Sequence, residues 1–162
     1  MATSRRDFVQ LSILAGGAVG LGMTAQGAAA ADHGTASKRK KILVLGGTGL
    51  IGPPMVEYAV ARGHEITLFN RGKTNAHLFP DLEKLKGDRY DDLKSIEAEV
   101  AAGRRWDAVI DNTASVPRVV TASAGLLTKA ADWYLYTSSI SAYADASTPG
   151  ADETAAVGQI TA

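Results

Sequence analysis

Seven residues limit what this chain can become more than any others: Gly46-Gly47-Thr48-Gly49-Leu50-Ile51-Gly52. They follow Lys41–Leu45, a short apolar run without alternation, as expected of a strand buried on both faces of a parallel sheet. A helical pattern then runs to Arg62, with Pro53 and Pro54 in its first turn, where a missing N–H costs little. Val56 and Val60 are expected on its buried face, and Gly63 at its close. A second strand, Glu65–Phe69, ends at Asn70-Arg71-Gly72. Glycines spaced G-x-x-G-x-x-G inside such a β-α-β unit permit a tight turn and a close backbone approach to a pyrophosphate. The helix N-terminus adds N–H groups and partial positive charge. The plain alternative is a turn that uses glycine for packing alone, and the β-α-β context argues against it.

The pattern continues. A weak third strand at Lys84-Leu85-Lys86 leads into Gly87-Asp88-Arg89-Tyr90-Asp91. Asp92 is placed to cap a helix carrying Leu93, Ile96 and Val100, closed by Gly103. Trp106–Ile110 reads as a fourth strand, ending in Asp111-Asn112-Thr113-Ala114. Ser115 and Pro117 open a helix whose buried face is expected at Val120, Ala124, Leu127 and Ala131. Trp133–Thr137 is the fifth strand. Right-handed crossovers then predict an α/β Rossmann-type three-layer fold, a parallel sheet in order 3-2-1-4-5. A ligand should lie across its carboxyl edge, at the switch between strands 1 and 4.

Composition narrows the chemistry. The 162 residues allow one domain with a real core. There is no cysteine, hence no disulfide, thiol nucleophile or cysteine-based zinc site. His33, His64 and His77 are scattered without metal-ligand spacing. Basic and acidic residues balance at 17 each, so no cationic excess recommends nucleic acid as a partner.

The N-terminus reads as an address. Arg5-Arg6 with Phe8 precede a moderately apolar stretch, Leu11–Met23, and small residues gather from Ala25 to Ala31. The apolar stretch is shorter than the ~20 residues that span a bilayer, so no permanent membrane span is expected. The paired arginines resemble a twin-arginine export signal. Residues 1–31 are read as that signal, with cleavage near Ala30 or Ala31, residues 32–39 as a polar leader, and 40–162 as the folded domain. The twin-arginine machinery carries folded proteins, which suits an exported protein that folds around a cytoplasmic cofactor.

From Lys40 to about Ala144 the sequence resembles the extended short-chain dehydrogenase/reductase family, the epimerase/dehydratase-like branch. The resemblance rests on the glycine spacing, with Thr48 before the second glycine, and on Thr137-Ser138-Ser139-Ile140-Ser141-Ala142-Tyr143 after the fifth strand. Thr137 and Ala144 depart from the family's pattern there. The resemblance implies a nicotinamide dinucleotide held by Gly46, Thr48, Gly49, Leu50, Ile51 and Gly52, with Asp88 at the adenine amino group. Thr113, Ala114 and Thr137 would line the ribose and nicotinamide side, and Ser139 would be the catalytic hydroxyl on the reacting oxygen. Tyr143 matches a substrate-side tyrosine. For Asp88 the plain alternative is a turn cap, and for Ser139 ordinary loop chemistry.

The second strand ends at Asn70, where NAD-specific members carry an acidic residue; Arg71 and Lys73 follow. An uncharged and then cationic edge favours NADP(H) over NAD(H), the alternative being a solvated basic loop. The family's chemistry also needs a Tyr-x-x-x-Lys pair, whose phenolate moves the substrate proton and whose lysine lowers the tyrosine pKa. No tyrosine follows Tyr143 and no lysine follows Lys129. The chain is therefore expected to be the NAD(P)-binding portion of an exported oxidoreductase or sugar-nucleotide epimerase/dehydratase, C-terminally incomplete and inactive alone. A small-molecule substrate would belong to the longer protein. A non-catalytic dinucleotide-binding or regulatory module is the alternative. RNA binding, known in some relatives, is disfavoured by the neutral charge.

Export makes the first prediction. Residues 1–32 fused to a reporter that folds before translocation should carry it across the membrane. Replacing both Arg5 and Arg6 by Lys should stop it, and undiminished export of that form would refute the twin-arginine reading.

Overall fold

The structure is a computed structural model that describes residues 34–112, 116–145, 147 and 149–159. The expected export signal, Asp32 and His33 of the polar leader, Thr113, Ala114 and Ser115 lie outside the described residues. Five strands alternate with three helices: β1 (Lys41–Leu45), α1 (Gly52–Ala61), β2 (Glu65–Asn70), β3 (Glu83–Lys86), α2 (Lys94–Ala101), β4 (Trp106–Asp111), α3 (Pro117–Leu127) and β5 (Ala131–Tyr136). A single 3-10 turn, Ile140–Ala142, follows β5. The sheet order is β3-β2-β1-β4-β5 and every neighbouring pair is parallel, as the sequence predicts.

Central β1 shows why its sequence is apolar from Ile42 to Leu45. Successive side chains point to opposite faces. Ile42 and Val44 join Val56 and Ala59 of α1 with Ile66 and Leu68 of β2. Leu43 and Leu45 join Ile96 of α2 and Leu127 of α3 with Phe69, Trp106, Val109 and Ala130. Each fully buried side chain of this size contributes about 1.5–3 kcal/mol relative to exposure. One helix covers the first face and two the second.

Two helical faces differ from expectation. On α1 the buried residues are Gly52, Val56 and Ala59, while Val60 is 41% exposed. The helix lies on its i, i+3 edge because Gly52 sits hard against the turn before it. On α3 Leu127 is buried as expected, but the rest of the buried stripe is Val119 and Ser123 in place of Val120 and Ala124, and Ala131 belongs to β5. A polar side chain occupies the middle of that stripe, so hydrophobic periodicity alone chose the neighbouring face.

The outer strands are held differently. β3 is solvated and clipped on by Arg104, which donates to Glu83 (2.5 and 2.7 Å), Glu99 (3.0 Å) and the Thr67 hydroxyl (2.9 Å). The same guanidinium lies 5.2 Å from the Trp106 ring centre and holds the Glu83 carboxyl below the ordinary carboxylate range. At the other edge, β5 sets Trp133 opposite Ala108 and Leu135 opposite Ile110. Trp133 and Leu135 are exposed, on the sheet face that α1 covers only further in. Among the described residues, no helix is long and apolar enough to cross a membrane.

The two tryptophans report this asymmetry, Trp106 at 2% exposure and Trp133 at 73%. Acrylamide should quench one emission component strongly and spare the other, and Trp133→Phe should leave only the protected, blue-shifted one. A single uniformly protected population would contradict the bare β5 face.

Candidate cofactor-binding site

The turn after β1 is built on two glycines in contact. Gly46 and Gly47 have φ of 112° and 92°, a region L side chains rarely adopt. A Cβ on Gly47 would also meet Leu68 Cδ2 at 2.9 Å. A Cβ on Gly52 would fall 2.5–2.6 Å from the Gly47 backbone. Gly52 therefore lets the first turn of α1 rest on the loop itself. Gly47, outside the G-x-x-G-x-x-G register, is as demanding as its neighbours, and the doubled glycine was its only sequence signal. Gly49 differs, because a Cβ there would meet nothing within 4 Å. Its freedom faces open space rather than protein.

That space belongs to a cleft of about 400 Å³ at the carboxyl edge of β1, β2 and β3. Gly46, Thr48 and Gly49 form one wall, Asn70, Arg71 and Lys73 a second, and Gly87–Tyr90 a third. The structure thus brings together Gly46, Thr48, Gly49, Asn70, Arg71, Lys73 and Asp88. Leu50 is 97% exposed at the loop tip, Ile51 is exposed beside it, and Gly52 is buried beneath. No side chain caps α1, and prolines remove two N–H groups from its first turn. An anion here would consequently be held by loop amides, including those of Leu50 and Ile51, more than by helix amides.

Local bonds set the walls. The Gly46 N–H donates to the Phe69 carbonyl (2.9 Å), and the Thr48 carbonyl accepts from Asn75 Nδ2 (3.0 Å). Asn70 Oδ1 accepts from the Gly72 N–H (2.8 Å), whereas its Nδ2 is buried without a partner. An unpartnered donor on a cleft-lining residue at the end of β2 suits a ribose hydroxyl. With the open face over Gly49 it fits a dinucleotide. The Asp88 carboxylate accepts from the Tyr90 N–H (3.0 Å) and lies 3.9 Å from the largely solvated Arg71 guanidinium.

Ser139 and Thr137 are placed elsewhere. The Thr137 N–H donates to the Asp111 carbonyl (2.9 Å), extending the β4–β5 ladder. Ser139 caps the turn after β5, its Oγ accepting from the Ser141 N–H (3.3 Å) and bonded to the Ser141 hydroxyl (2.9 Å). Both residues are exposed, and neither lines the cleft. Tyr143 pairs with Val157 in an isolated antiparallel bridge.

Sequence reasoning missed a buried polar cluster beside the cleft. Arg89 and Asp111 form a two-pronged ion pair (2.5 and 2.8 Å), 7% and 0% exposed. Arg89 also donates to Ser123 Oγ (2.9 Å), and the Tyr134 hydroxyl donates to Asp111 (2.7 Å) and bonds Ser123 Oγ (2.8 Å). Burial first, then the Asp111 carboxylate acting against the Ser123 hydrogen bond, pushes the Tyr134 phenol up to about 12. Hydrophobic periodicity gave no signal for this cluster, because it set the buried face of α3 one position away from Ser123.

Two glycine substitutions separate packing from binding. Gly52→Ala forces the loop off the helix and should destabilise the fold by about 1–3 kcal/mol. Gly49→Ala should leave thermal stability unchanged while abolishing dinucleotide binding, as measured by titration. Equal effects of the two on stability would contradict these roles.

Known proteins place this architecture. Residues 42–133, more than half of the chain, match the NAD dependent epimerase/dehydratase family. The chloroplast stem-loop binding protein of 41 kDa b from Arabidopsis thaliana is 36% identical over 66 residues, 41% of this chain and 16% of that protein. The Bordetella bronchiseptica enzyme WbmG, crystallised with NAD, superposes with a TM-score of 0.63 at 16% identity, covering 76% of this chain and 45% of WbmG. A UDP-glucose 4-epimerase gives a TM-score of 0.55 at 18% identity, over 73% of this chain and 41% of that one. The chain thus spans less than half of either solved enzyme, and those likenesses concern the fold. With its glycine turn, strand order and family match in agreement, the chain belongs to the NAD dependent epimerase/dehydratase family.

Proposed function

We propose that this chain holds a nicotinamide dinucleotide across the carboxyl edge of its sheet, as the cofactor-binding part of an exported oxidoreductase or sugar-nucleotide epimerase/dehydratase. The observation that carries this reading is the open face of Gly49 beside the unpartnered Asn70 amide, in one cleft with Asp88. Bound there, the group supplies a hydride acceptor and donor. The chain's own residues bind it, through loop amides at the pyrophosphate, Asn70 at a ribose and Asp88 at the adenine. Export rests on the twin-arginine sequence.

NADP(H) is the preferred form in this reading. Arg71 and Lys73 sit in the cleft wall where an acidic residue would repel a 2′-phosphate, and Arg71 is solvated enough to swing. The NAD in WbmG speaks for that enzyme. Ser139 is read as the hydroxyl that orients a substrate oxygen once it leaves its Ser141 partner. This reading expects binding without turnover, since no tyrosine–lysine pair follows Ser139 in the sequence. A stem-loop-binding role has only the Arabidopsis name behind it, and 17 basic against 17 acidic residues give phosphate no general attraction.

Titration of residues 32–162 tests this. NADPH should bind more tightly than NADH, and Arg71→Ala should cost about 1–3 kcal/mol for NADPH and little for NADH. Assays with sugar nucleotides and small carbonyls should show no turnover. Equal losses for both nucleotides would remove Arg71 as phosphate reader, and turnover abolished by Ser139→Ala would overturn the expectation of inactivity.

A further inference from the structure

Arg89 stands in the cleft wall, yet its side chain is more than nine-tenths buried and spends its charge inward on Asp111. Replacing a buried ion pair by well-packed apolar side chains is often neutral or stabilising, so bulk stability is a poor account of this one. What the pair does geometrically is clearer. The segment Gly87–Asp92 joins β3 to α2 and carries Asp88 and Tyr90 into the cleft. It is tied to the β2 end by the Gly87 N–H on the Asn70 carbonyl (3.1 Å), with Gly87 pressed against Phe69. It is closed on itself by two reciprocal backbone bonds between Asp88 and Asp92 (2.9 Å each). Across the sheet it is held through Arg89. Arg89 reaches past the end of β1 to the last residue of β4 and to Ser123 on α3.

We propose that Arg89 is a positioning residue for the adenosine half of the dinucleotide. Its ion pair with Asp111 fixes the Gly87–Asp92 segment, and so Asp88, relative to the carboxyl end of β4. Two further observations fit this role. Arg89 Nε is buried without a partner, a donor left over after the inward contacts are made. Asn112, next to Asp111 at the end of β4, has both side-chain amide atoms buried and unpartnered. The ion pair therefore links the Asp88 wall to a second stretch that still has hydrogen bonds to make. Arg suits the task where Lys would not, because its planar fork meets two Asp111 oxygens and the Ser123 hydroxyl together. The proposal rests on the dinucleotide reading of the cleft.

The test is the paired substitution Arg89→Met with Asp111→Leu, which removes both buried charges and keeps the volume apolar. Thermal melting and titration with NADH and ADP-ribose are measured on this form and on the parent chain. The variant should melt within a few degrees of the parent, yet bind both ligands at least about tenfold more weakly. Amide hydrogen exchange at Asp88 and Asp92 should speed up, a change that a role confined to core stability would not produce in a form that melts normally. Parental affinity in the folded double variant would overturn the role of Arg89 while leaving the dinucleotide site standing. Failure of the parent chain to bind either ligand would overturn both readings. Should the double variant not fold, Arg89→Lys keeps the charge but loses the fork, and the same loss of affinity is expected; unchanged affinity there would overturn the proposal.

Discussion

The position of Gly52 against the Gly47 backbone governs most of what this fold can do. Side chains at either site would push α1 away from the end of β1, and every element of the cleft is measured from that junction. Because α1 starts in contact with the turn, its i, i+3 edge, Val56 and Ala59, meets Ile42, Val44, Ile66 and Leu68. Because the turn stays tight, the Gly46 N–H can reach the Phe69 carbonyl and bind β1 to the β2 end. Phe69 in turn leaves room only for a glycine at position 87. One steric condition thus passes from the first crossover to the third strand and aligns three walls around one cleft.

The part of the fold legible in the sequence was the part decided by local rules. A run of apolar residues, a glycine turn and a helix stop at Gly63 or Gly103 each have one dominant physical cause, and the strand order then follows from crossover handedness. The faces of α1 and α3 did not follow from local rules. Val60 had the right type and spacing but the wrong side, because the glycine contact rotated the helix. Ser123 had the right side but the wrong type, because its hydroxyl serves Arg89, Tyr134 and the Val120 carbonyl. Buried polar clusters are invisible to hydrophobic periodicity, and Arg89, Asp111, Ser123 and Tyr134 lie too far apart in the chain to show their relation.

The candidate site divides along the same line. Glycines and a strand-end asparagine mark themselves by backbone requirement and position, so the cleft residues were legible one by one. Ser139 was legible as a serine after the fifth strand, and the structure finds it capping a turn, exposed, away from the cleft walls. A hydroxyl in a serine-rich loop satisfies itself locally at little cost, so its placement depends on what else packs nearby.

Such packing is unevenly distributed. Across β1 and β2, both sheet faces are covered by described residues, and the three cleft walls converge at the strand ends beside them. Around β5, Trp133 and Leu135 lie bare, on a sheet face where the cluster under α1 reaches only as far as Ile110. In the proposed dinucleotide reading, the groups on the packed side would hold adenosine and pyrophosphate. The groups at the β5 end, Thr137 and Ser139, lack the neighbouring surface that would fix a reacting oxygen against a nicotinamide to within the fraction of an ångström that catalysis demands. In that reading, binding and chemistry separate physically: the affinity arises at the adenosine end of the ligand, against packed walls, and the exposed β5 end adds little to it.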